Sequence, residues 1–208
     1  MEIFMVCHIV GAGECTVLPQ KKQGDLLIAA DGGWDALRAC DLRPDLLIGD
    51  FDSVKHDLPC DVETVRLPVE KDETDMEAAV RLGLARGCRE FAFYGATGGR
   101  PDHTYGNYRL VVSLTKRGFR AVLFGGDYCV SAVKDGCLTL PQTADGTVSV
   151  FAVDARAEGV TLEGLYYPLQ NAALDPDTTL GVSNRVVAHP ASVEVRRGCL
   201  LVMWEQKQ

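Results

Sequence analysis

Apolar residues fall into two spacings along the chain up to about residue 130. Short runs occur at Ile3–Val10, Leu26–Ala30, Leu46–Ile48, Val62–Leu67, Phe91–Tyr94, Phe119–Phe124 and Tyr128–Val133, nearly unbroken except for Val62–Leu67, where Glu63, Thr64 and Arg66 intervene and only a further short strand is suggested. Runs of this length and uniformity predict buried strands. Helix-like stretches lie between them. One runs from about Trp34 to Cys40 and stops before Pro44. In another, Met76, Ala79, Val80, Gly83 and Leu84 recur at helical spacing. Thr74 and Glu77 form a capping box at its start, and Gly87 suits the position just past its end. A third runs from about Asp102 to Arg117 and is closed by Gly118. Strand and helix in alternation predict βαβ units. We expect an α/β N-terminal domain over residues 1–135, with a mostly parallel, Rossmann-like sheet.

From about Gly136 the pattern changes. Short strand-like runs recur at Thr147–Val153, Gly159–Leu162, Arg185–Ala188, Ser192–Val195 and Leu200–Trp204, separated by Gly, Pro, Asn and Asp. No amphipathic helix is evident among them. Residues 136–208 are therefore expected to form a second, all-β domain, sandwich or barrel-like.

Composition supports a folded, reduced protein. The 208 residues are 47 % hydrophobic and 24 % charged, which excludes a disordered tail, a collagen and a coiled coil. No apolar run approaches the ~20 residues of a membrane span. Met1 to Val6 lacks the basic start of a secretory signal and reads as part of the first strand. The eight cysteines include no Cys-x-x-Cys pair, so zinc-ribbon and thioredoxin-type readings have no support. Reduced thiols in a cytoplasmic protein are expected.

The net charge of −8 argues against binding a nucleic-acid backbone or an anionic membrane. It is concentrated in one place. Between Asp45 and Glu77 there are eleven acids and three bases, an excess equal to that of the whole chain. These acids follow predicted strand ends, where open parallel sheets bind ligands. Asp31 follows the second run, and Asp50 and Asp52 follow the third. Asp72 and Asp75 come after the fourth, and Asp102 after Phe91–Tyr94. Carboxylates converging on one rim repel unless a hard cation such as Mg²⁺ joins them, commonly beside phosphates.

Gly98-Gly99-Arg100-Pro101-Asp102-His103 adds positive character to the rim. Glycines allow close backbone approach to an anion, and Arg100 can clamp a phosphate through two parallel hydrogen bonds. Pro101 suits the first position of a helix, whose positive end then faces the same ligand. Lys71 sits beside Asp72. Other motifs are missing. There is no P-loop, no His-Glu-x-x-His and no Gly-x-Ser-x-Gly, and Gly11-Ala12-Gly13 lacks the third glycine of a dinucleotide fingerprint. His8, His56 and His189 read as structural or surface residues.

Taken in order, these stretches resemble the thiamine pyrophosphokinase family. The resemblance rests on Asp31-Gly32-Gly33, Pro44 to Ser53, Lys71 to Asp75, Gly98 to His103, Gly164 to Leu169 and Gly181 to Asn184. It implies an α/β domain, a β-sandwich domain and a homodimer with active sites at the interface. It implies transfer of a pyrophosphoryl group from ATP to the thiamine hydroxyl, releasing AMP. By motif, Asp50, Asp52, Asp72 and Asp75 organise Mg²⁺ and the phosphates. Asp31, Gly32, Lys71, Gly98, Gly99, Arg100 and His103 belong to the ATP side. Asp72, Asp75, Asp102 and Arg100 form the catalytic set, with Asp75 or Asp102 taking the hydroxyl proton. Ser183 and Asn184 face thiamine. Arg185 and Val186 follow them where family members carry an aromatic residue, which makes Tyr167 the candidate for ring stacking. The alternatives are a pyrophosphokinase for another heterocyclic alcohol, of hydroxymethylpterin type, and a non-catalytic nucleotide or vitamin sensor.

Overall fold

The unbroken apolar runs pair side by side, because strands covered on both faces need no alternation. The computed structural model describes residues 5–206. They divide into two units, residues 5–110 with 119–126, and residues 111–118 with 127–206.

The first unit contains β1 (Val6–Val10), β2 (Leu26–Ala30), α1 (Gly33–Ala39), β3 (Leu46–Gly49), β4 (Glu63–Arg66), α2 (Asp75–Ala85), β5 (Glu90–Tyr94) and β6 (Arg120–Gly125). Helix α3 (Pro101–Lys116) begins in it. The strand order is β6-β5-β1-β2-β3-β4, and every neighbouring pair is parallel. Of the first apolar run, Ile3 and Phe4 lie outside the described residues.

Each face of this sheet carries its own packing. On one, Val10, Leu27, Ala29, Leu47, Ala92 and Tyr94 bury against Trp34 and Leu37 of α1. On the other, α2 comes close because Gly83 has no side chain. A Cβ there would stand 2.7 Å from Cys7 Sγ and 3.0 Å from the Phe91 ring. Thr74 caps α2, its Oγ1 accepting the Glu77 N–H at 3.2 Å. Pro101 opens α3, where its missing N–H leaves no bond unmade.

The second unit is antiparallel and, from residue 127 on, has no helix among the described residues. Its strands are β7 (Tyr128–Thr139), β8 (Ala144–Ala152), β9 (Ala157–Glu163), β10 (Leu169–Leu174), β11 (Asn184–Arg185) and β12 (Ser192–Gln206). The separate runs Ser192–Val195 and Leu200–Trp204 belong to one strand, interrupted by a register shift between Val195 and Cys199. β12 pairs with β7 along its length, with β9 through Ser192–Arg197, and with β8 through Leu200–Gln206. Strand β7 continues through Gly136. Strand β10 leaves no alternating signature, because two register shifts and the left-handed Asn171 break its period. No helix among the described residues is long and apolar enough to cross a membrane.

Candidate active site

β1 lies between β2 and β5. The chain leaves β1 for β2 on one side and returns later to β5 on the other. The strand order thus reverses at β1, and in open parallel sheets ligands bind at the carboxyl ends of the strands beside such a reversal. A cavity of about 810 Å³ lies there, lined by Gly11–Glu14, Asp31, Asp50, Lys71, Glu73–Met76, Gly95–Arg100, His103 and Asn107.

The glycines of the β1 loop are there to fit against the β5 loop. Gly11, Gly13 and Glu14 donate their N–H groups to Tyr94 O, Gly95 O and Thr97 O at 2.8–2.9 Å. A Cβ on Gly13 would sit 2.1 Å from Thr97 O, and one on Gly11 2.8 Å from Gly95 O. Asn107 of α3, buried, donates Nδ2–H to Ala96 O at 2.7 Å and ties the same loop to the helix. Gly98 and Gly99 have φ of +83° and +66°, conformations that L side chains rarely adopt. Gly32 stands outside the lining. A Cβ on it would meet Ala12 Cβ at 2.8 Å, so it lets the β1 and β2 loops touch.

Three carboxylates converge on the opposite rim. Asp31, Asp50 and Asp52 each offer an oxygen, all within 4.8 Å of one another. Asp31 reaches the group through a left-handed turn, φ +46°, with its N–H on Ile48 O at 2.8 Å. Ser53 donates its hydroxyl to Asp31 Oδ2 at 2.7 Å, while Asp31 Oδ1 is buried and unpartnered. The Asp50 carboxyl is held below its usual pKa, first by the Asp52 N–H and then by Lys71, against the opposing effect of burial.

Lys71 links this group to α2. Its ammonium lies 3.2 Å from Asp50 Oδ2 and 3.1 Å from Asp75 Oδ1, and it donates to Pro68 O at 3.3 Å. The buried Asp75 Oδ1 meets Lys71 as an ion pair but receives no well-directed hydrogen bond. Burial pushes the Asp75 carboxyl upward, the charges of Asp31 and Asp50 add to this, and Lys71 opposes it.

The structure separates some residues that the sequence groups together. Asp72 is exposed and lies outside both the carboxylate trio and the cavity lining. Arg100 and His103 line the cavity, but Asp102 does not. Arg100 is engaged with Asp102 through Nη2–Oδ2 at 2.6 Å and Nε–Oδ1 at 3.2 Å. That guanidinium lowers the Asp102 carboxyl to about 2.

Tyr167, Ser183 and Asn184 lie in the second unit. Asn184 is buried and its amide is bonded to the Tyr167 backbone. Ser183 has φ +58° and donates its N–H to Ser149 Oγ at 3.1 Å. The Arg185 guanidinium stacks 4.0 Å over the Tyr166 ring, and Tyr166 meets Tyr167 edge-on at 4.8 Å.

Carboxylates and a glycine-rich rim at one crevice of a parallel sheet are the parts that a transferase handling phosphate groups requires. A family model described as the thiamin pyrophosphokinase catalytic domain matches residues 20–123, and one described as the thiamin pyrophosphokinase vitamin B1 binding domain matches residues 137–200. The chain belongs to the thiamin pyrophosphokinase family. A thiamine pyrophosphokinase of Bacillus subtilis (strain 168) is 24 % identical over 206 residues, covering 94 % of this chain and 96 % of that protein. The crystal structure of thiamine pyrophosphokinase from Bacillus subtilis superposes with a TM-score of 0.87 at 23 % identity, covering 98 % of this chain and 100 % of the other. The thiamin pyrophosphokinase structure from Geobacillus thermodenitrificans gives 0.83 at 28 % identity, covering 98 % and 99 %.

Proposed function

We propose that this chain is a thiamine pyrophosphokinase that transfers a pyrophosphoryl group from ATP to the thiamine hydroxyl, giving thiamine diphosphate and AMP. The observation that carries the reading is the acidic trio, with its unpartnered Asp31 oxygen, two of whose members, Asp31 and Asp50, line one cavity with the glycine rim. An all-oxygen set of three carboxylates suits Mg²⁺, and Asp31, Asp50 and Asp52 would hold it. When bound, the ion would neutralise phosphate charge.

The chain's own groups supply alignment and proton transfer. Gly98 and Gly99 bring backbone close to the phosphates. Arg100 would exchange Asp102 for a phosphate oxygen, and His103 faces the same cavity. Of the two carboxylates considered as proton acceptor, we assign Asp75. It lines the cavity and its basicity is raised, whereas the Arg100 pair leaves the exposed Asp102 a poor base. Tyr167 and Ser183 would face thiamine, with Asn184 acting through Tyr167. A homodimer is the proposed assembly, since Tyr166, Tyr167, Leu180, Val182 and Val187 are all exposed. A cytoplasmic enzyme agrees with the free cysteines.

Product analysis with ATP, Mg²⁺ and thiamine tests the proposal. Thiamine diphosphate and AMP in equal amounts are expected. ADP with thiamine monophosphate, or reaction with a hydroxymethylpterin and not with thiamine, would overturn it.

A further inference from the structure

Lys71 is more tightly enclosed than a phosphate-seeking lysine needs to be. Its side chain and that of Asp50 are each 13 % exposed. The ammonium is spoken for on three sides, by Asp50 at 3.2 Å, Asp75 at 3.1 Å and Pro68 O at 3.3 Å. Asp50 belongs at the same time to the trio with Asp31 and Asp52. Two carboxylates thus share this ammonium, and one of them, Asp50, also belongs to the trio.

We propose that Lys71 is a built-in counter-ion of the acidic cluster, competing with a free divalent cation for Asp50 and yielding it when a polyphosphate enters with the metal. This rests on the reading of the trio as the Mg²⁺ site. A divalent ion arriving alone meets a fixed positive charge already bound to one of its ligands, in surroundings where charges are weakly screened. A polyphosphate changes the balance, because Lys71 lines the same cavity and can take phosphate oxygens in place of Asp50. The cluster is therefore kept from collecting Mg²⁺ without nucleotide, and it avoids the self-repulsion of an uncompensated acidic site.

The test is calorimetric titration of Mg²⁺ alone, without nucleotide, into wild type, Lys71→Met and Lys71→Arg. Lys71→Met is expected to bind Mg²⁺ about tenfold tighter or more, since even at the dielectric of water, about 80, removing a unit charge about 6 Å from a divalent ion is worth roughly tenfold. Lys71→Arg keeps the charge and stays near wild type. Mg²⁺ should also raise the melting midpoint of Lys71→Met more than that of wild type. Binding by Lys71→Met that is equal to wild type or weaker overturns the proposal. If that variant does not fold, Lys71→Gln removes the same charge and keeps a polar side chain. Tighter Mg²⁺ binding by Lys71→Gln supports the proposal, and unchanged or weaker binding overturns it. The product assay on wild type is separate. No thiamine diphosphate alongside tighter Mg²⁺ binding refutes only the assigned activity. Thiamine diphosphate alongside unchanged binding refutes only the counter-ion.

Discussion

Asn184 holds Tyr167 by both of its backbone groups. Its Oδ1 accepts the Tyr167 N–H at 2.9 Å, and its Nδ2–H donates to Tyr167 O at 2.7 Å. The side-chain amide takes the place of a neighbouring strand. Oδ1 also accepts the Arg185 N–H at 2.9 Å, so little of the amide is left for a ligand.

Replacing Asn184 should therefore loosen Tyr167 without deleting a direct thiamine contact. Asn184→Ala removes three hydrogen bonds to the Tyr167 and Arg185 backbone and is expected to destabilise the protein by about 0.5–1.5 kcal/mol or more. In the proposed enzyme KM for thiamine should rise more than KM for ATP. Denaturant melts and steady-state kinetics check the two effects, and an equal rise in both KM values would contradict the assignment.

Asp31 and Asp72 should behave differently. Asn tolerates the left-handed conformation at position 31, so Asp31→Asn isolates the charge. It should raise the Mg²⁺ concentration for half-maximal activity by about tenfold or more, as expected for losing one of three charged ligands. Asp72→Asn, at an exposed position outside the trio, should leave that concentration within about threefold, since solvent screens its charge. Activity against Mg²⁺ concentration for both variants decides.

Two rim glycines should differ in their response to alanine. At Gly13 the new methyl meets backbone oxygens at 2.1 and 2.7 Å, so the β1 and β5 loops must separate. At Gly98 the obstacle is the flexible Glu14 side chain at 2.8 Å, and the penalty is chiefly the positive φ, about 1–2 kcal/mol. Gly13→Ala is expected to lose more stability than Gly98→Ala and to lose ATP binding. Thermal melts with and without ATP measure both.

His8 gives the first unit a pH dependence of its own. Its Nδ1 lies 3.2 Å from the Tyr94 hydroxyl and its Nε2 3.4 Å from Asp25 Oδ2. Burial holds the imidazole below its usual 6.5; Asp25 opposes this and the Lys21 charge adds to it. The unfolded chain then takes up the proton first, so this contribution to stability is present above 6.5 and is lost as pH falls through that value toward the folded one. Melting midpoints between about pH 7.5 and 5.5 should fall less steeply in His8→Gln, which has no proton to take up in that range. Parallel slopes for the two proteins would count against this role.

Features governed by neighbours in the chain are plain in the sequence. The Thr74 N-cap of α2, the opening proline of α3 and the buried runs of β1, β2, β3 and β5 are all found in place. Features set by distant partners are not. Gly11 and Gly13 fall short of a phosphate fingerprint because their reason lies in the Gly95–Thr97 loop, which packs on them from β5. The membership of the trio depends on the left-handed turn at Asp31. Spacing alone does not distinguish Asp75, which starts α2 and turns inward, from Asp72, which stays in solvent on the preceding loop. In the second unit, the register shift in β12 makes one strand look like two.

The triple pairing of β12 also orders events during synthesis. Until residues 192–206 have been made, the edges of β7, β8 and β9 that they will cover stay open to other chains, and the second unit cannot close. Residues 5–94, which carry the trio and Lys71, can pair their strands β1 to β5 long before that. The metal-side chemistry can therefore take shape on the ribosome first, while the unit proposed to hold thiamine remains the late-folding, aggregation-exposed part of the chain.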